Sequence, residues 1–418
     1  MAHPPVSETS GWRRGFWCLM GTQFQNAFSD NALKQLIILV LLAGAVSSAS
    51  GEAEQDRLVS LVTAVFSAPF ILFAMLGGWL ADRHSKQRVM VGVKLAEIGI
   101  MAFAALALAA QSLPMKLVAI FLMGCHSAIF APSKYGILPE ILPHAKLSWG
   151  NGILELLTFL GVILGTLAAG IFADVFVGRE WIAGPILMAI AVGGWVLSRL
   201  ITPVPAADPA CPVRVNPVTD LWRQLRVMKQ DRDLWRACWG NTGFYFISAL
   251  VMMNVVVFGK SILHLTGFQN SMLNVALALG IGLGSVVAGY ASRGRIEYRL
   301  VPVGALGLAL STVPMGMEGV TADTFRVCMA SLGFSAGLFI VPIVSVLQHR
   351  PSPESKGAVQ GAVSSLSFIG ILAAAGVQWI AREGFEITSG QVFWVCGASA
   401  VLCGGYAAIS RGRFIEAE

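Results

Sequence analysis

Charge is what this sequence has least of. Asp, Glu, Lys and Arg together make up 12% of its 418 residues, against about 25% in ordinary soluble domains. A soluble chain of this length could not cover its surface with so little polarity, which excludes a soluble enzyme, a nucleic-acid binder and a disordered tail. The sequence also lacks paired cysteines. Its seven Cys residues stand at 18, 125, 211, 238, 328, 396 and 403 with no CxxC or metal-ligand spacing, so they read as small buried hydrophobes and no metal site is expected. HExxH, GxSxG and any compact acid–base–nucleophile grouping are missing as well, which leaves no catalytic residue to name and no cofactor to expect.

What is there is apolar and periodic in length. Apolar residues are 56% of the chain, and runs of about 20, the length that crosses hydrocarbon, recur along it. They lie near 16–43, 58–81, 89–110, 115–137, 147–173 and 181–201, then 234–259, 270–292, 300–318, 324–348, 357–381 and 390–410. The expected fold is an all-α polytopic membrane protein of twelve transmembrane helices. Leu42-Ala43-Gly44-Ala45 resembles a signal cleavage site, but Asp30 and Lys34 interrupt the apolar region before it. The first span is therefore expected to stay attached.

Lys and Arg sort the connections. Arg57, Lys116, Arg179, Lys260, Arg326 and Arg382 each stand alone in one set of loops, whereas the other set is rich in basic residues, among them Arg13, Arg14, Arg83, Lys86, Arg88, Arg214, Arg223, Arg226, Arg411 and Arg413. Both termini are expected in the cytoplasm. A proline-rich break from Pro203 to Pro217 separates spans six and seven. Apolar and basic residues then alternate at helical spacing from Asp220 to Lys229. That stretch reads as an amphipathic helix on the anionic inner leaflet, or as a docking site for a cytoplasmic partner. The division expected is an N-terminal six-helix bundle over 1–201, a linker over 202–233 and a C-terminal bundle over 234–418.

The two halves look related at an offset of roughly 210 residues. Gly78-Trp-Leu-Ala-Asp-Arg-His-Ser-Lys-Gln-Arg88 follows span two, and Gly289-Tyr-Ala-Ser-Arg-Gly-Arg-Ile-Glu-Tyr-Arg299 follows span eight. Phe130-Ala-Pro132 likewise matches Phe339 to Pro342, and Pro143 through Lys146 matches Pro353 through Lys356. Two six-helix halves in parallel repeat are the plan of the major facilitator superfamily. The first loop resembles that superfamily's Gly-x-x-x-Asp-Arg-x-Gly-Arg-Arg signature through Gly78, Asp82, Arg83, Lys86 and Arg88, with Ser85 in a glycine's place and Arg88 displaced by one. Asp82 can cap a neighbouring helix or pair with a base, making Gly78, Asp82, Arg83 and Arg88 a candidate conformational latch. The second copy carries Arg293 where the acid should stand, so its latch must differ. Gly161-x-x-x-Gly165-x-x-x-Ala169 and Gly280-x-x-x-Gly284-x-x-x-Ala288 give small faces for close helix contact. Span five reads Gly165-Thr166 and has no proline, unlike the Gly-Pro pair of the superfamily's drug antiporters.

Ionisable groups at bilayer depth are costly and mark function by default. Span one sets Gln23, Asn26, Asp30 and Lys34 on one face with Asn31 beside them; Asp30 and Lys34 are spaced to pair. Span three carries Lys94 and Glu97, read as a structural pair near the inner end. Span four presents His126, Phe130 and Lys134, with His126 read as a satisfied interior histidine and Lys134 as either a site residue or a snorkelling one. Span five sets Asn151, Glu155 and Thr158 on one face. The later helices hold few charges. An amphiphile with a charged head and an oily tail suits this asymmetry better than a sugar.

Three of these stretches, Gln23-Phe-Gln-Asn-Ala-Phe-Ser-Asp-Asn-Ala-Leu33, Ala131-Pro-Ser-Lys-Tyr-Gly-Ile-Leu-Pro-Glu140 and Asn151-Gly-Ile-Leu-Glu155, resemble the bacterial lysophospholipid transporter family and the transporter half of fused transporter–acyltransferase proteins. The resemblance implies a flippase that brings lysophosphatidylethanolamine-type lipids from the outer to the inner leaflet of the bacterial inner membrane. A cytoplasmic acyltransferase/acyl-carrier-protein synthetase would re-acylate them there, and since the chain ends at Glu418 that enzyme is expected to be separate. It implies substrate and bulk membrane lipids as partners, no nucleic acid, and a monomer. Lys34 and Lys134 are then candidates for the phosphate, Gln23 and Asn31 for hydrogen bonds to it, and Asp30 and Glu155 for the ammonium. Span seven reads Ala249-Leu-Val-Met-Met-Asn254, so no basic head-group residue carries over to it. The alternatives are a transporter of a small amphipathic organic ion, proton-coupled through Asp30 or Glu155, a membrane-embedded lipid enzyme, and a non-transporting anchor for the acyltransferase.

Overall fold

The computed structural model describes residues 12–47, 52–212, 216–265 and 267–408. Both termini, with Arg411 and Arg413, and Arg214 in the linker lie outside the described residues. Those described form thirteen α-helices and no strand. They are α1 (Trp12–Ser47), α2 (Glu52–Arg83), α3 (Lys86–Ala109), α4 (Leu113–Ile141), α5 (Leu147–Val175), α6 (Ala183–Arg199), the short α7 (Pro217–Met228), α8 (Arg232–Ser261), α9 (Gly267–Ala291), α10 (Leu300–Met315), α11 (Ala322–His349), α12 (Lys356–Trp379) and α13 (Ser389–Ala408). Each expected span falls on one of these helices. Ten are long and apolar enough to cross a membrane; α10, with 16 residues, is apolar but shorter, and α13 has 20 residues. The amphipathic stretch after the proline-rich break is α7.

Polarity runs inside out, as a lipid surround requires. Leu106, Leu283, Leu310 and Val327 are more than 60% exposed, whereas Lys86, Lys94 and Glu97 are fully buried. In hydrocarbon every backbone polar group must be satisfied within the protein, which selects helices and lets prolines sit inside them where neighbours compensate. Pro69 in α2, Pro132 and Pro139 in α4, and Pro342 in α11 are tolerated this way.

The chain forms two compact units. One comprises Met1–Ile141, Leu160–Trp222 and Ser352–Ser365, the other Leu142–Phe159, Arg223–Pro351 and Leu366–Glu418. The start of α5 thus packs with helices of the second half, and the start of α12 with helices of the first. In the first unit Leu33, Leu36 and Ile37 of α1 join Met101, Ile120, Met123 and Leu187 in a buried core. In the second, Phe258, Phe325 and Phe393 close a ring of aromatic contacts with centroids 5.1–5.5 Å apart.

Small residues set the closest crossings. Between α9 and α11 a Cβ on Gly280 would meet the Ala330 carbonyl at 2.3 Å, one on Gly284 the Phe334 carbonyl at 2.0 Å, and one on Gly333 the Leu277 carbonyl at 2.1 Å. A Cβ on Gly161 or Gly165 of α5 would meet the Phe24 or Phe28 carbonyl of α1 at 2.7 and 2.3 Å respectively. These contacts are backbone against backbone, so nothing can yield by changing a rotamer.

At the start of α8, Asp231 accepts from the Asp233 and Leu234 amides at 3.0 and 3.2 Å. Arg350, just past α11, bonds Asp231 at 2.7 Å and Asp233 at 3.1 Å. Burial pushes the Asp231 carboxyl up, but the Arg350 hydrogen bond and charge and the two amides outweigh it and hold the carboxyl below its usual value. Such a group stabilises the fold above the ordinary carboxylate pKa of about 3.9 and loses that contribution as pH falls through its lowered value.

Two outcomes follow for the purified protein in detergent. Gly284→Val overpacks the α9–α11 crossing, a class of change that costs about 1–3 kcal/mol; its melting temperature falls clearly below that of Gly99→Ala, where a Cβ meets nothing within 4 Å. Asp231→Asn is less stable than wild type at pH 7, and denaturation across a pH series shows the difference closing below about pH 4.

Candidate functional site

The polar face of α1 is built at helical spacing, and α3 and α4 complete it. Lys94 of α3 directs its ammonium between Glu97 Oε2 and Asn26 Oδ1, each at 2.7 Å. Gln25 Nε2 donates to Glu97 Oε1 and to Ser29 Oγ, both at 2.8 Å. From α4, Ser127 Oγ donates to Asp30 Oδ2 at 2.6 Å, and Asn26 Nδ2 donates to the same oxygen at 3.0 Å. His126 bridges the two ends: Nε2 lies 3.3 Å from Glu97 Oε2 and Nδ1 3.4 Å from Ser127 Oγ. Its ring stacks on Phe130, over which the Lys94 ammonium sits 4.9 Å from the centroid. All these polar side chains are at least nine-tenths buried. The set holds two carboxylates against one ammonium and one imidazole.

Asp30 is therefore brought into a network, but not with the partner that its spacing suggests. Lys34 makes no ion pair among the described residues; its ammonium stands 5.0 Å over the Phe66 ring of α2. Asn31 turns back to donate to the Ala27 carbonyl at 2.8 Å, away from the cluster. Gln23 is buried on α1. Lys134 is buried low on α4 with its ammonium 4.2 Å from the Tyr135 centroid. Glu155 is buried on the part of α5 that belongs to the second unit. In that unit Asn151 makes a two-bond amide pair with Gln348 of α11, at 3.0 and 2.9 Å, and bonds Ser345 at 3.1 Å.

Lys94, Glu97, His126, Gln25 and Ser127 carry most of the network and were not placed in a site from sequence. Depth was the available signal. At 1.5 Å per residue, Lys94 and Glu97 lie about 12 and 17 Å along α3 from its first residue, too far for an interfacial pair.

The loop after α2 forms a second polar site. Asp82, 1% exposed, accepts from the Gly357 and Ala358 amides at 2.6 and 2.7 Å, an N-cap supplied to α12 from another helix. Gly78 makes this possible, since a Cβ there would meet the Gly357 carbonyl at 2.4 Å. Arg83 stacks over Trp79 and donates to the Cys211 carbonyl at 2.9 Å, and the Asp208 amide bonds the Asp82 carbonyl at 2.8 Å. Arg88 is exposed and outside this arrangement. The base that turns inward is Lys86, fully buried and 2.7 Å from Glu140.

The repeated loop takes an equivalent position in the second unit without the acid. A Cβ on Gly289 would meet Trp149 Cα at 2.9 Å and one on Gly152 the Ser285 carbonyl at 2.4 Å, so α9 meets the start of α5 as α2 meets the start of α12. Ser148 Oγ donates to the Arg295 carbonyl at 3.2 Å. Arg293 and Gly294 turn the chain at positive φ, 45° and 81°.

Comparison with known proteins places this architecture. The family model of the Major Facilitator Superfamily matches residues 19–375. The chain is 30% identical over 358 residues to the lysophospholipid transporter LplT of Klebsiella pneumoniae, 84% of each chain. It is 27% identical over 350 residues to LplT of an Enterobacter species, 82% of each. Among solved structures, the human organic anion transporter MFSD10 superimposes with a TM-score of 0.74 at 15% identity, over 96% of this chain and 100% of that one, a likeness of fold alone. The chain is thus a multi-pass membrane protein of the Major Facilitator Superfamily, a transporter and not an enzyme, and within it belongs with the LplT family.

Proposed function

We propose that this protein is a flippase for lysophosphatidylethanolamine-type lipids, carrying them from the outer to the inner leaflet of the bacterial inner membrane by alternating access for re-acylation in the cytoplasm. The observation that carries the substrate class is the likeness to the lysophospholipid transporters over most of both chains. The geometry supports it. Lys34, at the edge of the buried network and without an ion pair among the described residues, offers a cation to a phosphate. Lys134 is the second candidate for the phosphate, with Gln23 and Asn31 as hydrogen-bond donors, and Asp30 and Glu155 are those for the ammonium. Lys94 and Glu97, fully neutralised within the protein, hold Asp30's surroundings in place and do not bind the lipid.

Asp82 and its loop serve as the latch in this reading. The cap on α12 joins a helix of the first half to one of the second, and alternating access must break it. The linker helix α7 lies at the cytoplasmic face, as do both termini.

Spheroplasts lacking the protein fail to take up labelled lysophosphatidylethanolamine, and the restored gene recovers uptake; rescue of organic-cation uptake without lipid movement would overturn the proposal. Asp30→Asn and Glu155→Gln each lower lipid uptake at least tenfold at normal expression, and wild-type rates in both would remove them from the site. Lys34→Met and Lys94→Met separate binding from architecture. The first weakens lipid binding with an unchanged melting temperature. The second strands Glu97 without its counter-ion, a loss of about 3–5 kcal/mol for a buried pair, and melts early with or without lipid. Asp82→Asn keeps an N-cap oxygen but removes the charge from the α12 amides, and slows transport severalfold with little change in lipid affinity.

A further inference from the structure

The linker helix α7 has no part in the buried network or the latch. A helix of 12 residues is marginal by itself, so what holds it in place decides which side it shows. Asn216 caps its start, the side-chain oxygen accepting from the Val218 and Thr219 amides at 3.1 and 3.2 Å. Asp220, Gln224 and Met228, spaced by four, are buried and form the edge that packs on the protein. The opposite face is open. Val218 is 73% and Trp222 60% exposed, and Arg223, Arg226 and Lys229 are exposed around them. Asp220 is the acid of this helix and lies on the buried edge, so the open face carries basic and apolar groups and no carboxylate.

The level of α7 relative to the bilayer follows from what it is joined to. Met228 stands four residues before Arg232, the start of the membrane-spanning α8, so α7 ends within about 14 Å of that residue even on an extended chain. Trp235 and Trp239 then pack edge to face with centroids 5.7 Å apart, and Trp239 lies about 10 Å along α8 from Arg232. Tryptophan is enriched at headgroup depth, where its ring is apolar on one side and wet on the other. The end of α7 and the exposed Arg232 therefore sit just outside an aromatic belt, at the level of the lipid phosphates. An exposed tryptophan among Arg and Lys at that level is complementary to an anionic lipid surface. A soluble acidic protein would meet the bases equally well, but the place of α7 beside the belt favours lipid.

We propose that the open face of α7 binds acidic phospholipid headgroups of the adjoining leaflet, with Arg223, Arg226 and Lys229 meeting the phosphates and Trp222 lying among the headgroups. Acidic lipid thereby gains a hold on the start of α8. The binding rests on no part of the transport reading; that the leaflet is the inner one follows from the orientation proposed above.

Hydrogen exchange of the full chain in nanodiscs, read over residues 217–228, tests this with diacyl lipids alone. Adding phosphatidylglycerol to phosphatidylethanolamine discs slows exchange over α7 by about threefold or more in wild type, and the effect fades as salt rises because exposed charges are screened. Arg223→Gln/Arg226→Gln/Lys229→Gln abolishes the effect with an unchanged melting temperature. Each basic residue near a charged leaflet is worth about fivefold, so the same variant weakens phosphatidylglycerol binding to the detergent-purified protein about a hundredfold. Trp222→Ala lowers the protection and keeps its salt dependence. Equal exchange in the two kinds of disc, or full protection in the triple variant, overturns the inference. Protection by soluble polyglutamate that matches phosphatidylglycerol also overturns it and assigns the face to an acidic protein. The flippase reading stands or falls separately, on lysophospholipid uptake by spheroplasts.

Discussion

A helix that crosses hydrocarbon has no solvent to satisfy its polar groups, and every such group must find its partner within the protein. Lys86, Lys94 and Glu97 are among the most completely enclosed side chains in the molecule, while leucines and valines fill the outer faces. Each charge is met. Lys86 reaches Glu140, Lys94 reaches Glu97 and Asn26, and Asp82 reaches two helix amides. Buried pairs of this kind add little net stability over apolar packing, because desolvating both partners cancels most of their attraction. Removing one partner is expensive. The ionic groups therefore act as constraints on which helices must lie together.

The same accounting explains the glycines. Where two helices cross with no room for a Cβ, as at Gly284 against Phe334 or Gly165 against Phe28, packing comes from backbone contact, since lipid provides no hydrophobic drive between apolar helices. Small faces and buried ion pairs share the task of association in the two units. The first unit has the ionic network and the second relies on aromatic stacking, glycine crossings and uncharged amides such as Asn151 with Gln348.

The fold was legible because its signals are local. Apolar runs of the right length gave the helices, and the glycine spacings gave real crossings. The repeat was legible for the same reason: Gly78 and Gly289 occupy equivalent backbone contacts in their own units. The site was less so. Spacing along one helix suggested that Asp30 meets Lys34, but Asp30 meets Ser127, 97 residues away, and Lys94 meets Asn26 at a separation of 68. A carboxylate at bilayer depth is satisfied by whichever neighbouring helix brings a donor, and helix neighbours are a property of the packed unit. Lys94 and Glu97 looked like an end-of-helix pair because their i, i+3 spacing is self-sufficient. Nothing in that spacing reveals that Glu97 also faces His126 on α4.

The two repeated loops separate what the geometry needs from what the charge adds. In both, a glycine near a helix end lets the backbone of an adjoining helix start come within contact, at Gly78 against Gly357 and at Gly289 against Trp149. That approach needs no acid, because the second copy achieves it with Arg293 at the equivalent position and a serine-to-carbonyl bond from Ser148. Asp82 therefore does not create the contact; it charges it. Parting α2 from α12 would strand a carboxylate and two amides at a helix N-terminus, whose partial positive charge the carboxylate offsets, whereas parting α9 from α5 gives up a neutral hydrogen bond and packing. The first contact is the costlier to open.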